Sequence, residues 1–195
     1  MLFRSVGQTY QDVIRVNSQS GKGGVAYVME SKYGFQLPRW LQIEFSRVVQ
    51  KAAEASGQEI AAEQIRTLFQ SEYLEPPAPL KLKTFSIDKS DMERIKGQIE
   101  LEGKTFEVKG KGNGMLEAFV DALQTTFGME LTILEYGEHA LSQSANAEAV
   151  TYLQIKHDSN RYTGIAIDKD IVTSSVNALL NAVSQALHQR RQQAA

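Results

Sequence analysis

The sequence predicts an α+β chain, with a helical N-terminal subdomain followed by a domain of two βββα repeats. Three observations carry that expectation. A stretch recurs 56 positions later without a gap: Gln98-Ile99-Glu100-Leu101-Glu102-Gly103-Lys104-Thr105-Phe106 aligns with Gln154-Ile155-Lys156-His157-Asp158-Ser159-Asn160-Arg161-Tyr162. In the same frame Val120-Asp121-Ala122-Leu123 aligns with Val176-Asn177-Ala178-Leu179. Self-similarity at a fixed period marks a duplicated supersecondary unit, and two copies suit a pseudo-symmetric domain with a ligand site where equivalent helix starts converge. The hydrophobic period also changes from helical to two across residues 76–79. Finally, 195 residues with 42% hydrophobic and 23% charged side chains are ordinary for a folded domain plus a smaller one.

In chain order, Val13-Ile14-Arg15-Val16 reads as a brief strand and Ser20-Gly21-Lys22-Gly23-Gly24 as a glycine-rich turn. Residues 25–29 predict a short helix. Trp40, Leu41, Ile43, Phe45, Val48 and Val49 trace an apolar face after Pro38, and Ile60, Ile65, Leu68 and Phe69 mark a further helix. Three of the four prolines fall in Glu75-Pro76-Pro77-Ala78-Pro79, a stiff stretch that cannot continue a helix. The domain boundary falls there: residues 1–75 form a mostly helical accessory subdomain with little area of its own to bury, 76–79 a linker, and 80–195 the duplicated domain.

Beyond the prolines, Leu80-Lys81-Leu82-Lys83, Ile99 and Leu101 among glutamates, and Phe106 and Val108 between Glu107 and Lys109 alternate as half-buried strands do. Met115, Leu116, Phe119, Val120, Leu123 and Phe127 then recur at helical spacing, with Gly128 placed to cap the helix. The order repeats: residues 131–134, 150–155 and 162–167 predict three strands. Ile171, Val172, Val176, Leu179, Leu180, Val183 and Leu187 predict the closing helix.

Composition excludes several functions. A net charge of −2, a pI near 6.0 and the lack of a basic block argue against nucleic-acid or anionic-membrane partners. No apolar run approaches the ~20 residues that span a bilayer, and Met1-Leu2-Phe3-Arg4-Ser5 does not open a signal peptide. A cytoplasmic location is the expectation. With no cysteine there is no disulfide, thiol chemistry or cysteine-ligated metal. His139, His157 and His188 are too widely spaced for a local metal pair, and Ser18, Ser20 and Lys22 have no base near them in sequence.

One stretch does suggest binding. Gly110-Lys111-Gly112-Asn113-Gly114 lies between a strand and a helix, where glycines let backbone approach a ligand and helix-start N–H groups favour an anion such as a carboxylate. It lacks the Lys-Ser/Thr of a Walker loop, and Met115 falls on the last glycine of the dinucleotide pattern. The plainer reading is a turn that only reverses the chain. The second copy has Asp168, Lys169 and Asp170 instead. Between the copies, Tyr136-Gly137-Glu138-His139-Ala140 and Ala145-Asn146-Ala147-Glu148-Ala149 are rich in small side chains. These either line a slot for a branched aliphatic group or pack helix on sheet.

The run Val13-Ile14-Arg15-Val16-Asn17-Ser18-Gln19-Ser20-Gly21-Lys22-Gly23-Gly24-Val25-Ala26-Tyr27-Val28-Met29, with Leu37-Pro38-Arg39 and Leu41-Gln42-Ile43-Glu44-Phe45, resembles the accessory subdomain of the 2-isopropylmalate synthase family. Gly112-Asn113-Gly114, the run from Leu134-Glu135-Tyr136 to His139-Ala140, and Asp170-Ile171-Val172-Thr173-Ser174 resemble that family's C-terminal regulatory domain. Together they cover nearly the whole chain. The resemblance implies a regulatory part that binds L-leucine, forms a homodimer and inhibits a TIM-barrel domain at a distance. In the family that barrel, absent here, holds a divalent metal and condenses acetyl-CoA with 2-oxoisovalerate in the committed step of leucine biosynthesis. This chain would start downstream of the barrel, need no cofactor and turn over no substrate by itself.

Carried over position by position, the resemblance implies a leucine pocket of Gly112, Asn113, Gly114 and Leu116 at the first helix start. Ile133, Tyr136, Ala140, Ala147 and Ala149 would line the aliphatic side, with Ile171 from the second helix start. Two positions depart from the family: Met115 replaces a common proline, and Glu117 stands where small residues are frequent. The implied outcomes are weaker leucine binding or a Glu117 that points to solvent. The competing readings are the isoleucine-sensing regulatory domain of a citramalate synthase, not expected to share the run from Asn17 to Met29, and a ligand-free dimerisation module.

Overall fold

The computed structural model describes residues 15–16, 21–89, 91–142 and 147–194. Strand β1 (Arg15–Val16) pairs antiparallel with β2 (Ile60–Ala61), while Val13, Ile14 and residues 17–20 lie outside the described residues. The expected glycine-rich turn is instead the first turn of helix α1 (Gly21–Tyr33), and the short helix expected at 25–29 is its middle. Each glycine costs a helix about 1 kcal/mol against alanine. Val25, Val28 and Met29, spaced along one face and fully buried, offset that cost through packing.

Helix α2 (Arg39–Ser56) follows Pro38, buries Leu41, Phe45, Val49 and Ala53 at four-residue spacing, and ends at Gly57, whose φ of 66° needs no side chain. Ile60, expected in a helix, belongs to β2. The next helix, α3, spans Ala62–Phe69 and continues into a π-helical turn, Gln70–Leu74. Phe35, Phe45, Phe69 and Tyr73 meet in tilted and edge-on pairs with centroids 5.0–5.8 Å apart. The helical part therefore buries far more than the sequence suggests.

Downstream the βββα order holds twice. Strands β3 (Lys81–Lys89), β4 (Glu93–Leu101) and β5 (Lys104–Gly112) form one antiparallel sheet in chain order, followed by helix α4 (Met115–Phe127). Strands β6 (Thr132–Ala140), β7 (Ala149–His157) and β8 (Asn160–Asp168) form the second, followed by α5 (Ile171–Ala194). The register of each first hairpin slips at the same place, around Lys83 and around Leu134, so a bulge is part of the duplicated unit. Glu102 and Gly103, both at positive φ, make the tight turn between β4 and β5.

The inner faces of both sheets and both long helices share one core, which includes Ile99, Val108, Phe119 and Leu123 from the first repeat and Leu153, Ile155, Leu179 and Val183 from the second. The outer faces differ. On the first sheet burial alternates, leaving Lys96, Gln98, Glu107 and Lys109 toward water. On the second, Val150, Tyr152 and Ile165 are buried by the helices of the N-terminal part, so β7 is covered on both sides. Polar bonds tie the same joint. Gln154 Nε2 and Thr163 Oγ1 donate to Glu44 Oε2 at 2.8 and 3.1 Å, and Asn181 Nδ2 donates to the Leu74 and Ile165 carbonyls at 3.2 and 2.8 Å. Burial pushes the Glu44 carboxyl above its ordinary range, partly opposed by these donors. The buried Tyr73 hydroxyl approaches that carboxylate without reaching hydrogen-bond geometry.

Candidate functional site

The glycine segment divides into two functions. Strand β5 runs through Gly112, so Gly110 and Gly112 are strand residues rather than loop. A Cβ at Gly110 would lie 2.1 Å from the Ala118 carbonyl oxygen, and one at Gly112 2.5 Å from the Ala118 nitrogen. These glycines let α4 lie directly on β5. Gly164 does the same under α5, where a Cβ would lie 2.1 Å from the Ala178 oxygen. Gly114 has open space instead. It precedes α4, whose first helical bond runs from Ala118 N to Gly114 O at 3.0 Å, and no side chain caps the helix at that position.

Glu117 does not simply face solvent. Its Oε2 accepts the Asn113 N–H at 2.7 Å, and Asp121 Oδ2 on the next turn accepts the Lys111 N–H at 2.9 Å. Carboxylates thus already sit where partial positive charge gathers at the helix start. Lys111, Glu117, Val120 and Asp121 form one wall of a groove of about 480 Å³, and Leu131, Thr132 and Ile133 form the other. Leu116 and Ile133 are half-buried against the common core beside it.

At the second helix start, Asp170 is the cap. Its Oδ2 accepts the Thr173 N–H at 2.8 Å and the Thr173 hydroxyl at 2.7 Å, bonds that hold its carboxyl below the usual range. Just inside lies a hydroxyl cluster. Ser174 Oγ is 2.9 Å from Thr151 Oγ1, and Ser175 Oγ donates to the Ile171 carbonyl at 2.8 Å and lies 2.9 Å from Tyr136 Oη. Tyr136 Oη also donates to Glu138, and its partial burial, followed by that carboxylate, pushes its pKa above the ordinary phenol value.

The structure therefore places the sequence-derived residues in two groups. Gly112, Asn113, Gly114 and Leu116 are contiguous at the start of α4, and Ile133 faces them across the groove through Glu117. Tyr136, Ala140, Ala149 and Ile171 gather at the start of α5: Ala140 pairs with Ala149 across the ladder, and Tyr136 meets Ile171 through Ser175. Ala147 is half-buried just ahead of β7, while Ala145 and Asn146 lie outside the described residues. Strand β6 carries members of both groups. The bulge at Leu134 puts Ile133 and Tyr136, three residues apart, opposite Ile155 and Leu153 and hence on one face. Sequence reasoning missed Thr151, Ser174 and Ser175, whose alternation with apolar residues reads as ordinary amphipathic pattern. The spacing Asp170-x-x-Thr173 is a capping signature that was available.

The histidines have separate tasks. His139 Nε2 lies 3.1 Å from the Gly34 oxygen and 3.3 Å from the Gln36 nitrogen, His157 Nδ1 is 2.9 Å from the Glu130 oxygen, and His188 contacts Gln192. Among the described residues no group of three His, Cys, Asp or Glu side chains could hold a metal ion, and no helix is long and apolar enough to cross a membrane.

Fold and site together define a duplicated βββα domain joined to a helical accessory part. The profile of the LeuA allosteric (dimerisation) domain matches residues 59–187, and that of the alpha-isopropylmalate synthase post-catalytic domain-like unit matches residues 3–30. The chain belongs to the LeuA allosteric (dimerisation) domain family. It is 45% identical over 184 residues to the 2-isopropylmalate synthase of Thermobifida fusca, covering 94% of this chain and 32% of that protein. The 2-isopropylmalate synthases of Mycobacterium leprae (40%, covering 94% and 31%) and Pseudomonas syringae pv. syringae (39%, covering 97% and 34%) are similar to the same extent. The chain spans about a third of the length of these curated relatives.

Proposed function

We propose that this chain is the regulatory part of a 2-isopropylmalate synthase, binding L-leucine between the α4 start and strand β6 and carrying feedback inhibition to a catalytic TIM barrel outside the chain. The family match across the duplicated domain supports the reading most directly. In it residues 1–75 are the accessory part, 76–79 the linker and 80–195 the sensor, working as a homodimer in the cytoplasm. The acyl transfer and its divalent metal belong to the barrel, so this chain alone turns over no substrate. Gly114 leaves room for a ligand carboxylate at the α4 start, and the isobutyl group would lie along β6 against Ile133, with Tyr136, Ala140, Ala147, Ala149 and Ile171 on its α5 side.

Glu117 competes for the same N–H groups. Calorimetric titration with leucine, isoleucine and valine tests the reading, and leucine is expected to bind most tightly. Glu117→Ala is expected to tighten leucine binding roughly tenfold, the equivalent of one charge-assisted hydrogen bond of about 1.5 kcal/mol. Tighter isoleucine binding would instead favour the sensor of a citramalate synthase. Uptake of none of the three would leave a dimerisation module.

A further inference from the structure

Strand β6, like its neighbour β7, touches both the proposed ligand site and the N-terminal part. Tyr136 and Ala140 pair with Leu153 and Ala149 and lie on the α5 side. The residues between them, Gly137 and His139, pair with Tyr152 and Val150 on the opposite face. There the His139 ring stacks on Tyr152 with centroids 5.6 Å apart and planes 19° apart. Pro38 Cγ lies 3.4 Å from the position a Cβ on Gly137 would take, and the Leu141 carbonyl oxygen lies 3.2 Å from the position a Cβ on Gly34 would take. The far side of β6 therefore rests on residues 34–38, the connection between α1 and α2.

Two physical features suit this strand to moving. As an edge strand it is hydrogen-bonded to β7 alone, so a shift disturbs one ladder rather than two. His139 Nε2 also sits within reach of two opposite partners, so that with a proton it can donate to the Gly34 carbonyl at 3.1 Å and without one it can accept the Gln36 N–H at 3.3 Å. A contact with two discrete arrangements is what coupling between sites requires, whereas a single well-satisfied bond would transmit nothing.

We propose that β6 is the relay of the regulatory site, with ligand occupancy on its Tyr136 and Ala140 face exchanging the partner of His139 Nε2 on the other and so repositioning residues 34–38. This rests on the leucine-binding reading above. The test pairs calorimetry with hydrogen exchange of residues 34–38 and the ¹⁵N signal of His139 Nε2, each with and without saturating leucine. Wild-type protein is expected to show a fivefold or larger change in exchange at 34–38 and a moved Nε2 resonance. His139→Phe, which keeps a ring against Tyr152 but no ring nitrogen, is expected to bind leucine within tenfold of wild type while the exchange response disappears. Leucine binding with neither response in wild type overturns the relay and leaves the sensor intact, as does a response that persists in a folded His139→Phe. Should that variant not fold, the wild-type Nε2 signal alone decides. No leucine binding by wild type removes the sensor reading itself.

Discussion

Gly110 and Gly114 stand four residues apart under opposite constraints. A methyl group at Gly110 would be driven into the Ala118 carbonyl, and at Gly114 it would meet nothing within 4 Å. Gly110→Ala is therefore expected to cost about 3 kcal/mol or more of stability and Gly114→Ala less than about 0.5 kcal/mol, read as urea unfolding midpoints. A large loss at Gly114 would contradict the geometry. Glu44 makes a pH-dependent case. Its folded-state carboxyl is raised above the ordinary 4.5 by burial, so its contribution is present below that value and is lost as pH rises through the folded value. Glu44→Gln keeps an acceptor for Thr163 and Gln154 without the charge. Its stability is expected to gain on wild type as pH rises above 4.5, and parallel pH profiles would show that burial does not act on Glu44 as described.

At the scale of elements, α4 and α5 begin differently, and the difference can be measured. Asp170 caps α5 through Thr173, and a carboxyl held below its ordinary range contributes stability above its unfolded value that is lost as pH falls. Asp170→Ala is expected to lower the melting temperature at neutral pH, with the gap to wild type closing in acid. A gap independent of pH would mean that the cap is not electrostatic. Six long strands and the two helices after them were legible, because period-two and helical patterns and Gly128 are local signals. Helix α1 was legible only over 25–29, since its glycines read as a turn and its full length depends on Val25, Val28 and Met29 finding their partners. The strand character of Ile60 was not legible, because it exists only through pairing with residues distant in sequence. At the site the residues of the glycine segment were legible but their division was not: no local signal shows that Gly110 and Gly112 face a helix while Gly114 is open. The inward turn of Glu117 onto Asn113 was equally invisible.

For the whole molecule, the proposed homodimer is expected to scatter light with about twice the chain mass at micromolar concentration, and a mass near 21.7 kDa would exclude it. The N-terminal helices are also expected to be indispensable to a stable second sheet. Residues 76–195 alone would uncover Val150, Tyr152 and Ile165, each worth about 1.5–3 kcal/mol when buried, against a typical total stability of about 5–15 kcal/mol. Circular dichroism and gel filtration of that piece should show loss of native structure or association.

The uneven cover on the two sheets has left its record in the duplication itself. At the positions of Val150, Tyr152 and Ile165, the other copy carries Arg94, Lys96 and Lys109. Some helix-facing positions match, as Ile99 and Ile155 do, while these opposite-face positions differ, turned toward water in one copy and toward a neighbour in the other. The first repeat thus spells out how the second could live uncovered. Grafting Val150→Arg, Tyr152→Lys and Ile165→Lys into residues 76–195 should restore a soluble, cooperatively unfolding domain, because the first repeat carries those residues at the same positions of the same backbone.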